Sequence, residues 1–188
     1  MQKEIILVIG GSGSGKSKFA ENLAAELKNK SKTEKMYYMA TMKPYGEEGK
    51  KRVQKHRKQR RGKGFETVEC YGTGDGSLSS NRNRCQDGTE NRPLSRNSVV
   101  LLECMSNLAA NEVFDEKNKN AADDILSFIN GIDCKALVIV TNEIFSDGIL
   151  YGEETVEYIK ILGDINQRLA QIANAVFEVV CGIPVKLK

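Results

Sequence analysis

The feature that most constrains the fold is Gly10-Gly11-Ser12-Gly13-Ser14-Gly15-Lys16-Ser17, a complete G-x-x-x-x-G-K-S segment directly after the apolar run Glu4 to Ile9. Ile5, Ile6, Leu7, Val8 and Ile9 are continuous and rich in β-branched side chains, which suits a central parallel strand covered on both faces. Phe19, Leu23 and Leu27 recur at helical spacing with Ala20 and Ala24 beside them, so Lys16 to about Lys30 is predicted as a helix. In that strand, turn and helix context the segment reads as a cradle for ATP or GTP. Gly10, Gly11, Gly13 and Gly15 let backbone N–H groups curl around phosphate oxygens, and the helix N-terminus adds its positive dipole end. Lys16 is expected to reach the β and γ phosphates, and the Ser17 hydroxyl to ligate Mg²⁺.

The 188 residues, 40% of them hydrophobic, suffice for one α/β domain with a substantial core, so residues 1–188 are expected to form a single nucleotide-binding domain. No apolar run approaches the roughly 20 residues that cross a bilayer. Met1-Gln2-Lys3-Glu4 leads straight into the first strand without a signal-peptide pattern. The cysteines at 70, 85, 104, 134 and 181 are odd in number, widely spaced and free of C-x-x-C, which fits neither a disulfide framework nor a zinc site. A soluble protein of the reducing cytoplasm is expected.

The net charge of +3 hides an asymmetry: nine lysines and arginines and no acid lie between Lys50 and Lys63, leaving the remainder of the chain at −6. Such a run is a solvated helix face, a nucleic-acid patch or a cationic wall around a triphosphate. No aromatic residue interrupts it as a base-stacking platform requires, which argues against nucleic acid. His56, the sole histidine, sits in its middle. Neighbouring cations lower an imidazole's pKa, keeping it neutral and nucleophilic, and attract an anionic phosphorus centre. His56 is therefore a candidate for covalent catalysis.

Strands are predicted at Lys35 to Ala40, Phe65 to Cys70, Ser98 to Glu103, Ala136 to Thr141, Ala175 to Cys181 and Ile183 to Leu187, the last at a sheet edge because of Pro184. Helices are predicted at Glu47 to Arg61, Met105 to Phe114, Ala121 to Gly131 and Glu153 to Asn174, where Val156, Ile159, Leu162, Ile165, Leu169 and Ile172 make one apolar stripe. Residues 72–97 are rich in Gly, Ser, Asn and Arg and read as a long surface loop. This alternation predicts the α/β P-loop fold of RecA-like type, a mostly parallel sheet with helices on both faces. The site is expected where the loops after Ile9, Ala40, Glu103 and Thr141 converge. Glu103, closing a buried strand, is placed to hold Mg²⁺.

GGSGSGKS, YYMAT at 37 to 41, RVQKHR at 52 to 57, FETVE at 65 to 69, VVLLEC at 99 to 104, VTNE at 140 to 143, NQRLA at 166 to 170 and the closing GIPVKLK run nearly end to end. Together they resemble the bifunctional adenosylcobinamide kinase/adenosylcobinamide-phosphate guanylyltransferases of cobalamin assembly. The resemblance implies a homotrimer acting on a corrinoid with ATP and GTP. It implies that His56 takes GMP from GTP as a covalent phosphoramidate and that Gly10 to Ser17 bind the phosphates. It also implies that Thr41 and Met42 line the nucleotide, and that Glu69 and Glu103 lie near GTP and Mg²⁺. A P-loop kinase that never modifies His56, and a nucleotide-switched nucleic-acid-binding protein, are the alternative readings.

Overall fold

A computed structural model describes residues 3–47, 49, 51, 53, 54, 62–73, 94–146 and 148–188. Seven strands build one sheet: β1 (Glu4–Gly10), β2 (Lys35–Ala40), β3 (Phe65–Glu69), β4 (Ser98–Glu103), β5 (Ala136–Asn142), β6 (Ala175–Val180) and β7 (Ile183–Lys186). Their order is β3-β2-β4-β5-β1-β6-β7. The first six run parallel, and only β7 pairs antiparallel, with β6. β5 thus separates β1 from β4, the strand order expected of the RecA-like branch of P-loop proteins. Pro184 lies on the outermost strand, where its missing N–H breaks no ladder.

Among the described residues, α-helices α1 (Lys16–Ser31), α2 (Met105–Ala110), α3 (Ala121–Gly131) and α4 (Glu153–Ile172) flank the sheet. They divide the two faces of the sheet between them. On one, Ala20, Ala24 and Leu27 of α1 pack on Ile6, Val8, Tyr38, Leu101 and Val138. On the other, Met105, Leu108, Ile125, Ile129, Leu162, Ile165 and Leu169 of α2, α3 and α4 pack on Leu7, Met39, Leu102, Leu137 and Ile139. Alternate residues of each strand therefore serve opposite cores, which is why β1, β4 and β5 read as unbroken apolar runs.

The helix expected over Met105 to Phe114 stops at Ala110, and Asn111–Asp115 form a π-helix instead. Two consecutive polar residues of this turn lie in the interior: Asn111 is 7% exposed and Glu112 2%. Gly46, Glu47, Gly49, Lys51, Val53 and Gln54 are helical, while the rest of the predicted Glu47 to Arg61 helix and residues 74–93 of the predicted loop lie outside the described residues. The turn between β6 and β7 places Cys181 and Gly182 at φ 51° and 81°, the paired left-handed geometry of a tight hairpin. Among the described residues, no helix is long and apolar enough to cross a membrane.

Leu137 is fully buried on the central strand β5. Leu137→Ala is expected to lower the unfolding free energy by about 2–5 kcal/mol in a urea titration with an unchanged slope. A loss well under 1 kcal/mol would mean that the α2–α4 face is not close-packed.

Candidate active site

The loop from Gly10 to Gly15 is shaped by backbone needs. Gly13 and Gly15 sit at φ 73° and 93°, in the left-handed region that L side chains resist. A Cβ on Gly10 would stand 2.6 Å from both Ser14 Oγ and the Val179 carbonyl oxygen, so only glycine passes between the loop and β6. The Ser14 N–H donates to the Gly11 carbonyl at 3.2 Å, closing the turn. The Gly182 N–H donates to the Ser14 carbonyl at 2.7 Å, fastening the β6–β7 hairpin against it. On the outer side a Cβ at Gly11 or Gly13 would meet nothing within 4 Å. That side of the loop is open.

Lys16 and Ser17 open α1. The Lys16 ammonium is folded back, donating to the Gly11 carbonyl at 3.1 Å, with the residue 7% exposed. A flexible ammonium held by one carbonyl exchanges that partner for phosphate oxygens at little cost. Ser17 Oγ donates to Glu103 Oε1 at 2.6 Å. This joins the start of α1 to the end of β4 across β5, a span of two strand spacings or about 9–10 Å. A hydroxyl and a carboxylate converging there are two hard oxygen donors, and Mg²⁺ takes few protein ligands and completes its shell with water and phosphate. The pair fits that ion. Among the described residues no cluster of three or more His, Cys, Asp or Glu offers an all-protein metal cage.

Ala40 is the register partner of both Glu69 and Glu103, so these two carboxylates project from the α1 face at the same strand level, one on each side of β2. Thr41, one residue on, turns to the other face and is fully buried. Its N–H donates to the Glu103 carbonyl at 3.1 Å, and its hydroxyl donates to the Cys104 carbonyl and accepts from the Cys104 N–H, both at 2.7 Å. Thr41 therefore anchors the loop to β4 and presents no hydroxyl to a ligand. Met42 follows into a cavity of about 380 Å³ bounded by Lys43, Tyr45, Asn107, Ala110 and Asn111. Lys43 and Tyr45 close its rim on Asp115 at 2.8 and 2.6 Å, and these two hydrogen bonds hold the Asp115 carboxyl below its usual range.

Of the residues expected at the site, the structure brings Gly10, Gly11, Ser12, Gly13, Ser14, Gly15, Lys16, Ser17 and Glu103 together, with Glu69 two strands beyond Glu103. His56 lies outside the described residues. Sequence reasoning missed a set of buried polar ties behind the strand ends. The Glu143 N–H donates to the Gly10 carbonyl at 3.0 Å, and the Asn142 N–H donates to Ser106 Oγ at 3.0 Å. Thr141 Oγ1 donates to Asn166 Oδ1 at 2.9 Å. The signal was present in polar residues within otherwise apolar runs, Ser106 and Asn111 in MSNLAANEVF and Asn166 in the stripe of α4.

The Tyr158 hydroxyl donates to the Ser106 carbonyl at 3.1 Å, and burial pushes its pKa up to about 12 from 10.0. A raised folded-state value means that the unfolded chain loses this proton first, so the phenol's contribution is whole below pH 10 and is lost as pH rises toward 12. Stability is expected to fall by up to about 1.4 kcal/mol per pH unit in that window from this residue. Denaturant titrations of wild type and Tyr158→Phe should diverge between pH 10 and 12, and parallel curves would contradict the assignment.

Residues 6–187 match the protein family described as cobinamide kinase / cobinamide phosphate guanyltransferase (CobU). The bifunctional adenosylcobalamin biosynthesis protein CobU of Escherichia coli (strain K12) is 33% identical over 200 residues, covering 98% of this chain and 99% of that protein. Its namesake in Salmonella typhimurium (strain LT2) is 31% identical with the same coverage. Among solved structures, an ATPase domain aligns at a TM-score of 0.45 with 14% identity, covering 94% of this chain and 69% of that one. The flagellar accessory protein FlaH of Methanocaldococcus jannaschii aligns at 0.44 with 10% identity, covering 93% and 70%.

Proposed function

The chain belongs to the cobinamide kinase / cobinamide phosphate guanyltransferase family, and from that premise we propose that it phosphorylates adenosylcobinamide and then guanylylates the product. The observation that carries the reading is the 2.6 Å bond between Ser17 and Glu103 beside the open glycine loop. A hydroxyl and a carboxylate, two oxygen donors of the kind Mg²⁺ takes, stand together beside that loop, which supports the reading.

In the first reaction the aminopropanol hydroxyl of the corrinoid attacks the γ-phosphorus of ATP or GTP. The bond from γ-phosphorus to the bridging oxygen breaks, the nucleoside diphosphate leaves, and the hydroxyl proton passes to solvent. Lys16 leaves the Gly11 carbonyl for the β and γ oxygens, and loop N–H groups other than that of Ser14, which closes the turn, hold the β-phosphate. Fixed charges and dipoles of this kind supply most of the catalysis in phosphoryl transfer. Ser17 and Glu103 would hold Mg²⁺, which when bound neutralises charge on the β and γ oxygens. Met42 and Glu69 line the nucleotide, with Thr41 fixing the loop that carries Met42.

In the second reaction a ring nitrogen of His56 attacks the α-phosphorus of GTP and pyrophosphate leaves. The phosphate installed on the corrinoid then displaces the histidine, giving adenosylcobinamide-GDP. The covalent relay divides one difficult displacement into two. The basic run from Lys50 to Lys63 suits this step, since it draws in a polyanion and keeps the imidazole neutral.

The proposal extends to the surroundings of the enzyme. A single domain over 1–188 is supported by the one continuous sheet. A homotrimer, the assembly that the family resemblance implies, is supported by exposed Ile149, Leu150, Ile183 and Val185. Reduced Cys70, Cys104, Cys134 and Cys181 suit the cytoplasm.

Protein incubated with GTP labelled at the α-phosphorus is expected to keep the label through denaturation, to lose it in acid and to retain it in alkali. His56→Ala should abolish the label while still transferring the γ-phosphate of ATP to cobinamide. A wild-type protein that acquires no label, or a variant that acquires as much, would remove the guanylyl half of the proposal.

A further inference from the structure

Asn111 opens the π-helix behind the site, and its side-chain amide spends both hydrogens on main-chain carbonyls of two different loops. Nδ2 lies 2.9 Å from the Thr41 oxygen and 2.9 Å from the Tyr71 oxygen. Both partners only accept, so the nitrogen must face them. Thr41 begins the loop after β2 and Tyr71 belongs to the exit of β3. The two are also linked directly, since the Cys70 N–H donates to the Ala40 carbonyl at 2.8 Å.

With Asn111 included, every polar group of Thr41 is engaged: its N–H with the Glu103 carbonyl, its hydroxyl with both main-chain groups of Cys104, and its carbonyl with Asn111. Thr41 in turn holds the main chain of Glu103 and Cys104, and Glu103 meets Ser17 at 2.6 Å. Hydrogen bonds therefore link the π-helix through Thr41 to the main chain of Glu103, whose carboxylate stands beside the phosphate loop. Glu112, the next residue, serves a different end. It accepts from the Thr73 N–H and hydroxyl at 2.5 and 2.8 Å and from the Asn118 side chain at 2.7 Å, all of them outside β2 and β4.

We propose that Asn111 is a positioning residue for nucleotide and metal binding, setting Glu103 and the Met42 loop against the phosphate cradle through Thr41. Asn111 bonds the loops at the strand ends while Glu112 secures the segment beyond β3. The inference rests on the functional reading above only for where the nucleotide sits.

The test uses the full chain, a fluorescent N-methylanthraniloyl GTP with Mg²⁺ as the probe, and steady-state kinase assays with cobinamide. Asn111→Asp is isosteric but turns a carboxylate oxygen toward two carbonyl oxygens. It should weaken nucleotide binding and raise the nucleotide KM by about tenfold, the worth of one positioning hydrogen bond, with kcat within about threefold. Glu112→Gln should lower the melting temperature yet leave nucleotide KM within about twofold. Should the aspartate variant not fold, Asn111→Ala carries the same test, because water can enter the space and satisfy both carbonyls.

A folded Asn111 variant with wild-type nucleotide affinity, or a Glu112→Gln variant that loses affinity as much, would overturn the proposal. A wild type that binds the probe but transfers nothing to cobinamide would sink the functional reading. The Asn111 inference would stand in that case if the variants still separate in binding.

Discussion

The hydrogen bond from Ser17 to Glu103 is the contact on which the site depends, and it exists only because of the sheet beneath it. Ser17 rides on α1, whose start is fixed by β1 and by the left-handed Gly15. Glu103 ends β4, two strands away, and the parallel pairing of β1 with β5 and of β5 with β4 brings both ends to one edge. A slip of one residue in β4 would turn Glu103 to the α2–α4 face and replace it with a main-chain neighbour. The fully buried ladders of Val99 to Leu102 and Ala136 to Val140 make that slip costly, since it would exchange one core for the other.

The two faces at the strand ends divide the labour. On the α1 side stand the groups with exchangeable partners: the Lys16 ammonium, the Ser17 hydroxyl and the carboxylates of Glu103 and Glu69. On the opposite side stand groups already satisfied by protein, among them Thr41, Ser106, Asn111 and Thr141, each tying a loop or helix to a neighbouring strand. Buried polar groups of the second kind are expensive unless paired, and when paired they fix one arrangement of the loops. The pairing of β6 and β7 adds a third support, through the bond from Gly182 to Ser14.

Much of this was legible in the chain. The glycine segment between an apolar run and a helical stripe announced β1, the phosphate loop and α1. The apolar runs ending in Glu103 and Asn142 gave β4 and β5 and their shared edge. What could not be read was the π-helix. The spacing of Met105, Leu108 and Ala109 fits an ordinary helix, and only the main-chain hydrogen bond from the Glu116 N–H to the Asn111 carbonyl reveals the widened turn. The bonds of the Thr41 hydroxyl to Cys104 were not legible either, because strand parity sends that side chain to the face away from Ser17. Parity across parallel neighbours depends on register, which no local pattern contains. His56 was singled out by its cationic surroundings, a chemical argument that stands apart from the geometry.

We propose that Ser17 and Glu103 act as one metal-binding unit in the nucleotide complex. Binding of Mn²⁺, followed by electron paramagnetic resonance with a non-hydrolysable GTP analogue present, tests it directly in wild type, Ser17→Ala, Glu103→Gln and the double variant. Each single change is expected to weaken Mn²⁺ binding by about tenfold or more, with the double variant little worse than either, as for residues that share one interaction. Wild-type Mn²⁺ affinity in both single variants would contradict the account.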